Sequence, residues 1–348
     1  MKVICIGDIH ASGFNDDAIV NGYPARLSYI KESLDFIINY GRSNNIHDYI
    51  ILGDIYNDKT IIYNNSQDML VNFFIRNNDL NFTLISGNHD LSAVGENQKS
   101  AISAFQKYDN VDCVLKEPKI IEKYNGVFIP YAHDFLSAYR NIDKSKVKIL
   151  FAHVGLNEAV LQSGLSRVDK LKISDLDDLK LLILGHYHKP QKIESQKTIG
   201  YYAGSLIPKD WNDKNETKRF LVVDTDTLEV ESVDIDCNIP HFIELVITDN
   251  NDTNEIFEKA KLEKSKGNKV RVINKSKTKV SKETKSIADD IVLVEHSEVD
   301  VTDRGITVVQ TKLEQCEKYL EIKNVENKEK YLQKLKDWKL LERRVEAK

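Results

Sequence analysis

The stretch FTLISGNHD, residues 82–90, joins a short apolar run to a cluster of polar side chains. Its first four residues are nearly all apolar, which is typical of a strand buried on both faces. After a glycine come an amide, an imidazole and a carboxylate, and side chains of these types bind borderline divalent metals. The stretch therefore predicts a buried strand that carries metal ligands just past its carboxyl end.

The same pattern of apolar run and polar island recurs over the first 205 residues. Further apolar runs lie at 3–6, 49–52, 147–151 and 181–184. The polar islands near them are Asp8-Ile9-His10, Gly53-Asp54, Ala152-His153, Gly185-His186-Tyr187-His188 and, less sharply, Asn57-Asp58 and Gly204-Ser205. Ligand groups collect outside the carboxyl ends of the strands in α/β sheets, so the series predicts one metal site built by several strands.

The predicted ligands suit a site for two metal ions. In the islands at 8–10 and 186–188 the outer residues are two positions apart, so in an extended segment they point the same way. Two metals about 3.5–4 Å apart need a shared ligand, and a carboxylate with its two oxygens is the natural bridge. The usual reaction of such a site is hydrolysis of a phosphate ester.

Helical patterns separate the apolar runs. At 24–40 and 66–77, apolar residues recur at the spacing of one helix face. Alternating strands and helices predict a layered α/β domain. Later apolar runs follow one another at 127–131, 198–203, 220–224 and 229–234. They predict that the sheet becomes mixed or that a second sheet packs on the first.

The chain divides into three predicted domains. The composition shifts near 238–240, after which 241–295 predicts a small β-α-β unit. From 311 the chain is rich in Lys and Glu at helical spacing, with a break near Asn324, which predicts two helices. We therefore expect a core over 1–238, a basic α/β capping domain over 239–310 and a helical tail over 311–348.

Composition narrows the class of protein. Of the 348 residues, 41% are hydrophobic, which excludes a disordered chain. The cysteines are scattered without a CxxC pair, which argues against a disulfide framework and a thiolate zinc site; they are Cys5, Cys113, Cys237 and Cys316. No signal peptide or membrane-spanning run is evident, so we expect a soluble cytoplasmic protein. The Lys/Asn/Ile bias suggests a bacterial cell or a phage-infected host as its source.

The net charge of −5 argues against a nucleic-acid binder, but the distribution of charge does not. Residues 259–285 contain eleven Lys or Arg and two Glu, a local charge of +9, so the rest of the chain carries −14. A Lys-rich stretch is usually a solvated face; the alternative is contact with DNA phosphates, which needs no base specificity. The predicted DNA contacts are Lys269, Arg271, Lys275, Lys277 and Lys279.

The motifs D-x-H, GD, GNHD, AH and GHxH stand in the order of the calcineurin-like metallophosphoesterases, which the chain resembles over residues 8–188. This resemblance implies a layered α/β/β/α core with mixed sheets. Within the superfamily the chain is most similar to SbcD-type DNA repair nucleases and their phage recombination relatives. Its GDIY at 53–56 resembles their GD motif, and its YAGS at 202–205 resembles their Tyr-Pro-Gly-Ser. A small second domain and a helical tail follow the core in that family.

The resemblance also implies roles for single residues. The first metal ion would be bound by Asp8, His10, Asp54 and His188, and the second by Asp54, Asn88, His153 and His186. His89 would protonate the leaving oxygen and Asp90 would orient His89; a helix N-cap is the alternative for Asp90. The family favours Mn²⁺, and the ligand set also accommodates Mg²⁺, Co²⁺, Fe or Zn²⁺. The other histidines match no family ligand and are expected in loops or at the surface: His47, His133, His241 and His296.

One position departs from the family pattern. Many relatives carry a histidine just after the aromatic residue of the GD motif, where this chain has Asn57. That histidine is linked to exonuclease processing. Its replacement leaves the balance between exonuclease and endonuclease activity open.

The resemblance predicts a two-metal DNA exonuclease or endonuclease subunit that processes DNA ends in repair or recombination. In this family the tail docks on an SbcC-type coiled-coil ATPase, and a homodimer is expected. A tail stripe of Leu332, Leu335 and Trp338 fits such docking, although the tail could instead fold back on its own domain. Two alternatives are a metallophosphoesterase that acts on phosphoproteins or cyclic nucleotides, and a non-catalytic DNA-end scaffold.

Overall fold

The computed structural model describes residues 1–13, 18–92, 99–160, 169–249, 252–276 and 290–293, together with Glu329. Lys277, Lys279 and His296 lie outside these residues, and so does the predicted helical tail apart from Glu329. Within the described ranges, no helix is both long and apolar enough to cross a membrane. Cys5, Cys113 and Cys237 are free thiols.

The described residues form four α-helices and seventeen strands. The helices are α1 (Ala25–Ser43), α2 (Asn64–Arg76), α3 (Phe135–Arg140) and α4 (Thr253–Ser265). The first strands are β1 (Lys2–Ile6), β2 (Ile19–Val20), β3 (Tyr23–Pro24), β4 (Asp48–Ile51), β5 (Asn81–Ile85), β6 (Val111–Val114), β7 (Lys119–Ile121) and β8 (Gly126–Ile129). The later strands are β9 (Ile149–His153), β10 (Leu181–Gly185), β11 (Gln191–Glu194), β12 (Ile199–Tyr202), β13 (Arg219–Asp224), β14 (Val230–Asp234), β15 (Phe242–Ile247), β16 (Lys269–Asn274) and β17 (Asp290–Leu293). Short 3₁₀ helices cover Ala101–Lys107, Glu122–Tyr124, Ile173–Leu176 and Trp211–Asp213.

The first sheet has six strands in the order β14-β13-β1-β4-β5-β6. Strands β1, β4, β5 and β6 run parallel, whereas β13 is antiparallel to β1 and β14 is antiparallel to β13. Helix α1 lies between β1 and β4 in the chain, and α2 lies between β4 and β5. These helices are the crossover connections that parallel strands need.

The second sheet also has six strands, in the order β11-β12-β10-β9-β8-β7. Its four inner strands run parallel, and the edge strands β7 and β11 pair antiparallel. Both sheets are therefore mixed. Both arrangements that the sequence left open are observed, because β13 and β14 make the first sheet mixed and a second sheet is also present.

The two sheets pack face to face. Side chains of the first sheet such as Cys5 and Leu52 share one buried cluster with Phe151 and Ile183 of the second sheet. On the outer face of the first sheet lie α1 and α2, while α3 and the 3₁₀ turn at Ile173–Leu176 cover the second sheet. This order of layers confirms the predicted α/β/β/α fold, with the apolar stripe of α1 buried as its spacing predicts.

A small unit follows the core and matches the predicted β-α-β pattern. Its three parallel strands, β15, β16 and β17, carry α4 on one face, where Phe257 and Ala260 pack against Val270 and Val272. The backbone N–H of Asn215 in the core donates to the carbonyl of Phe242 at 2.9 Å. The small unit therefore adjoins the core directly, and the division into three domains remains a prediction.

Candidate metal centre

Both sheets bring polar islands to one end of the core. In the first sheet, β1, β4 and β5 end within three residues of Asp8, Asp54 and Asn88. In the second sheet, β9 ends at His153 and β10 ends just before His186. The parallel registers align the carboxyl ends of these strands, so residues that are distant in the sequence meet at one place.

Three of the predicted ligands have uncommon backbone conformations. The φ angles of His10, Asp54 and His186 are 50°, 49° and 100°. Left-handed residues other than glycine cost on the order of 1–3 kcal/mol each and persist only where the surroundings hold them. Residues with such conformations cluster at functional sites, and these three are themselves predicted metal ligands.

Glycines next to the ligands allow the loops to approach each other. A Cβ atom on Gly87 would lie 2.2 Å from the backbone nitrogen and from Oδ1 of Asp54. On Gly53, whose φ is 94°, a Cβ would lie 2.4 Å from Nδ1 of His153. The recurring glycines of the polar islands are therefore required by close packing of the ligand loops.

His10 and His188 face each other on one side of the site. Their Nε2 atoms are 2.8 Å apart, and Nε2 of His10 is 3.7 Å from Oδ2 of Asp54. Burial holds the pKa of His10 well below its usual value, and burial together with the Lys209 ammonium lowers the pKa of His188 to about 4. Both rings are therefore neutral at neutral pH, which is the form that binds metals.

His153, Asn88 and His186 meet on the other side. Oδ1 of Asn88 is 3.0 Å from Nε2 of His153 and 3.0 Å from Nδ1 of His186. The carbonyl of Leu52 accepts a hydrogen bond from Nδ1 of His153 at 2.7 Å. This bond turns Nε2 of His153 towards the cluster, where it lies 3.5 Å from Oδ2 of Asp54.

Two buried carboxylates, Asp8 and Asp54, connect the two sides. Asp8 accepts the backbone N–H of His186, at 3.0 Å on Oδ1 and 3.2 Å on Oδ2. Burial raises the pKa of Asp8 to about 7. The attraction of His153 acts to lower this pKa, and the repulsion of Asp54 acts to raise it, so these two effects oppose each other. Burial also acts to raise the pKa of Asp54, but the charge and the hydrogen bond of His153 outweigh burial and hold that pKa below its usual value.

This set of donors fits divalent metal ions. Within the described part of the chain, three groups have ligand atoms within 4.8 Å of one another: Asp8 with His10 and His188, His10 with Asp54 and His89, and Asp8 with Asp54 and His153. Nδ1 of His10 is buried without a hydrogen-bond partner. Within 4.0 Å of the carboxylates of Asp8 and Asp54, the basic side chains among the described residues are the imidazoles of His10 and His153, with no Lys or Arg. Buried carboxylates need compensating charge, which metal cations between them would provide.

His89 enters the site on the loop that follows β5. Its backbone N–H donates to Oδ1 of Asp54 at 2.8 Å. Its Nδ1 donates to the backbone carbonyl of Asn57 at 2.5 Å. The imidazole is therefore oriented by a backbone carbonyl, which the sequence did not predict.

Asp90 has a different role from the two that were expected. Its carboxylate accepts the backbone N–H groups of Ile55 and Tyr56 at 3.0 Å each and that of Gly87 at 2.9 Å. These bonds tie the loop after β4 to the loop after β5. Asp90 thus fixes the spacing of two ligand loops and does not orient the His89 ring directly.

The donors open into a cleft of about 760 Å³, which we call the first cleft. Its lining includes Asn88, His89 and His186, together with the cationic side chains of Lys59 and Lys170. His133, which was expected to be an ordinary loop residue, also lines this cleft, but it belongs to none of the three donor groups in the described residues. The first cleft gives a molecule from the solvent access to the donors.

A family model described as calcineurin-like phosphoesterase matches residues 1–190. The chain belongs to this family. The match covers more than half of the chain and contains every predicted metal ligand. This match confirms the superfamily predicted from the motifs. The family uses two divalent metal ions and hydrolyses phosphate esters.

Several solved structures are similar to this phosphoesterase. A hypothetical protein, PH1004, from Pyrococcus horikoshii OT3 shares 13% identity over 76% of this chain and 93% of its own, with a TM-score of 0.38. A dimetal phosphatase from Danio rerio shares 10% identity over 67% of this chain and 98% of its own, with a TM-score of 0.41. Yfce, a phosphoesterase from E. coli, shares 14% identity over 68% of this chain and all of its own, with a TM-score of 0.33. No curated protein matches the chain. The family assignment rests on the matched residues 1–190.

A buried ion network behind His188 was not predicted from the sequence. Nζ of Lys218 is 2.8 Å from Oδ1 of Asp213, 2.6 Å from Oε2 of Glu216 and 3.3 Å from the carbonyl of His188. The side chains of Lys218 and Asp213 are 0% and 1% exposed. A lysine just before an apolar strand is usually at the surface, so the sequence offers no signal for this role beyond its place in the chain.

Lys218→Met is expected to destabilise the phosphoesterase by about 3–5 kcal/mol, because a buried carboxylate loses its cation. Urea unfolding of the metal-free protein measures this destabilisation. Lys192→Met is the matched control, since Lys192 pairs with Glu194 at an exposed edge strand and its removal should leave unfolding unchanged. Equal midpoints for Lys218→Met and the parent protein would contradict a stabilising role of the network.

Three of the five predicted DNA contacts lie in described residues. Lys269 is exposed on β16, with its ammonium 5.6 Å from the ring centre of Phe242. Arg271 is half-buried, and its guanidinium lies 4.1 Å from the ring centre of Trp211 in the core. Lys275 is exposed just past β16. Arg271 therefore packs the small unit against the core, while Lys269 and Lys275 present charge to solvent.

Proposed function

We propose that this phosphoesterase is an SbcD-type DNA nuclease that cuts phosphodiester bonds with two Mn²⁺ ions. The observation that carries the proposal is the position of Asp54 between the two groups of imidazoles, with His89 held beside it. The GDIY and YAGS motifs and the basic segment at 259–285 favour DNA over other phosphate esters. Processing of DNA ends in repair or recombination is the role that these features suit.

Each side of the centre would hold one metal ion. Asp8, His10, Asp54 and His188 would bind the first, and Asp54, Asn88, His153 and His186 the second. When bound, such cations activate water and neutralise charge on the phosphate oxygens. The protein holds the donor side chains in fixed positions, because the strand ends and the close-packed loops leave them little freedom to move.

His89 is proposed to protonate the leaving 3′-oxygen. Its Nδ1 is occupied by the Asn57 carbonyl, so Nε2 is the nitrogen that is left for a substrate. The residue also lines the first cleft, beside the donors. A positioned acid of this kind typically contributes about 10²–10⁴-fold to the rate.

The proposal includes partners and a cellular location. DNA would contact the exposed Lys269 and Lys275 together with Arg271 and, outside the described residues, Lys277 and Lys279. The segment 311–348 would dock on an SbcC-type coiled-coil ATPase, and the nuclease would act as a homodimer. We propose the cytoplasm of a bacterial cell or of a phage-infected host as the place of action.

A substrate panel tests this function. The protein with Mn²⁺ is given duplex DNA ends, single-stranded DNA, a phosphopeptide, cyclic AMP and bis-p-nitrophenyl phosphate, with and without the ATPase. We expect turnover of DNA and of the small diester, and none of the phosphopeptide or cyclic AMP. Hydrolysis of either of those two with inert DNA would assign the chain to another substrate class. Bound metal without any turnover would instead indicate a scaffold.

A further inference from the structure

A second cleft, of about 810 Å³, lies where the core meets the small unit. Ser12, Asn57 and Lys209 line it from the core, and Phe242 and Lys269 line it from the small unit. Its described lining residues include none of the metal donors. Its size is similar to that of the first cleft, so it can hold a group as large as a nucleotide.

The second cleft adjoins the metal donors. Asn57 lines it, and the carbonyl of the same residue accepts the hydrogen bond from His89, which lines the first cleft. The backbone N–H of Lys209 donates to Asp213, and Asp213 accepts a hydrogen bond from the ammonium of Lys218, which also donates to the carbonyl of His188. The donor loops therefore form the wall between the two clefts.

The charge of the second cleft is predominantly positive. Arg26, Lys209 and Lys269 line it, and Asp58 is the one acidic residue among its lining residues in the described ranges. Neither Lys209 nor Lys269 pairs with a carboxylate of the described chain. Three exposed lysines that do pair with carboxylates serve for comparison: Lys119 with Asp112, Lys192 with Glu194 and Lys261 with Glu258.

The loop that carries Lys209 is held in place from two sides. The guanidinium of Arg26 donates to the carbonyl of Pro208 at 3.2 Å. The backbone N–H of Lys209 donates to Oδ2 of Asp213 at 2.7 Å. Because Asp213 also pairs with the buried Lys218, the backbone under Lys209 is rigid while its ammonium stays free to meet an anion.

We propose that the second cleft binds phosphate groups of the polynucleotide beyond the scissile bond, through Lys209 and Lys269. This inference rests on the nuclease function proposed above. One strand with repeated phosphates can reach the metal centre and the second cleft together. A phosphomonoester or a cyclic nucleotide has one phosphate and cannot occupy both, so the cleft selects for chains of nucleotides.

Binding of single-stranded oligonucleotides of about four and about twelve nucleotides tests the inference, with fluorescence anisotropy at several salt concentrations. The double variant Lys209→Ala/Lys269→Ala should lose most of the affinity that the parent protein gains with the longer strand. Its log–log salt slope should fall by about 0.7 for each phosphate that the variant no longer binds. Cleavage of the longer strand should show a raised KM.

The control is Lys119→Ala/Lys192→Ala, which removes two paired lysines and should leave the salt slope of the parent protein unchanged. Thermal melting confirms that both double variants are folded, and Lys209→Arg/Lys269→Arg should restore binding of the longer strand. If the parent protein cleaves DNA and Lys209→Ala/Lys269→Ala has the same salt slope and KM as the parent, the proposed phosphate site in the second cleft is wrong. The proposed nuclease function would be unaffected by that result. If the parent cleaves no DNA but hydrolyses the small diester, the nuclease function fails first and this inference fails with it.

Discussion

Asp54→Asn is expected to remove metal binding on both sides of the centre and to reduce turnover to the background rate. Oδ2 of Asp54 lies 3.7 Å from Nε2 of His10 and 3.5 Å from Nε2 of His153, so one carboxylate serves both groups of donors. Asparagine has the same shape and tolerates the left-handed conformation at φ 49°, so the backbone is preserved. The variant therefore tests the loss of the negative charge and of one ligand oxygen, with the backbone unchanged.

Metal content after dialysis against Mn²⁺ measures the effect of Asp54→Asn, together with the shift of the melting temperature on adding Mn²⁺. We expect two metal ions per chain in the parent protein and none retained in the variant. Asp112→Asn is the control, because Asp112 is an exposed carboxylate that pairs with Lys119 and belongs to none of the three donor groups of the described residues. Two ions retained by Asp54→Asn with full turnover would exclude a bridging role.

His89→Gln is expected to keep both metal ions and to lose about 10²–10⁴-fold in the turnover of DNA. The side chain of His89 is held by the Asn57 carbonyl, while Asp54 accepts only its backbone N–H, which glutamine retains. The decrease should therefore fall on proton donation to the leaving oxygen. A 3′-alkoxide is a poor leaving group without a proton, so DNA depends on this donor.

A pair of substrates separates proton donation from binding. The p-nitrophenolate that leaves from bis-p-nitrophenyl phosphate needs no proton, so His89→Gln should affect this diester much less than DNA. Metal content and kcat are measured for both substrates in the same preparation. Equal decreases on DNA and on the small diester, or loss of metal, would count against a purely proton-donating His89.

The fold could be predicted because its signals are local. The runs that became β1, β4, β5, β9 and β10 are short and apolar, and they alternate with helical patterns, which is enough to indicate layers of strands and helices. The apolar spacing at 24–40 likewise corresponds to the buried face of α1, Ala25–Ser43. The order of strands in the two sheets was not accessible, because pairing such as β13 with β1 joins segments more than 200 residues apart.

The donors could be predicted as a set because each one follows a recognisable strand end. The partners of single atoms could not. The Asn57 carbonyl orients His89 across 32 positions, and the carboxylate of Asp90 accepts amides 34 and 35 positions away instead of contacting the His89 ring. Lys218 gave no signal, since a lysine in the sequence is expected at the surface and its burial depends on Asp213 and Glu216 folding around it.

The amino-acid sequence by itself determined which residue types stand at the strand ends, and hence the family and its metal chemistry. Side-chain chemistry and apolar periodicity are properties of neighbouring residues, and folding does not alter them. Only the tertiary structure decided which nitrogen of His153 faces Asp54, why the loops need Gly53 and Gly87, and where a second cleft meets the metal donors. Those facts depend on distances between atoms of remote segments, which are set when the two sheets and the small unit pack together.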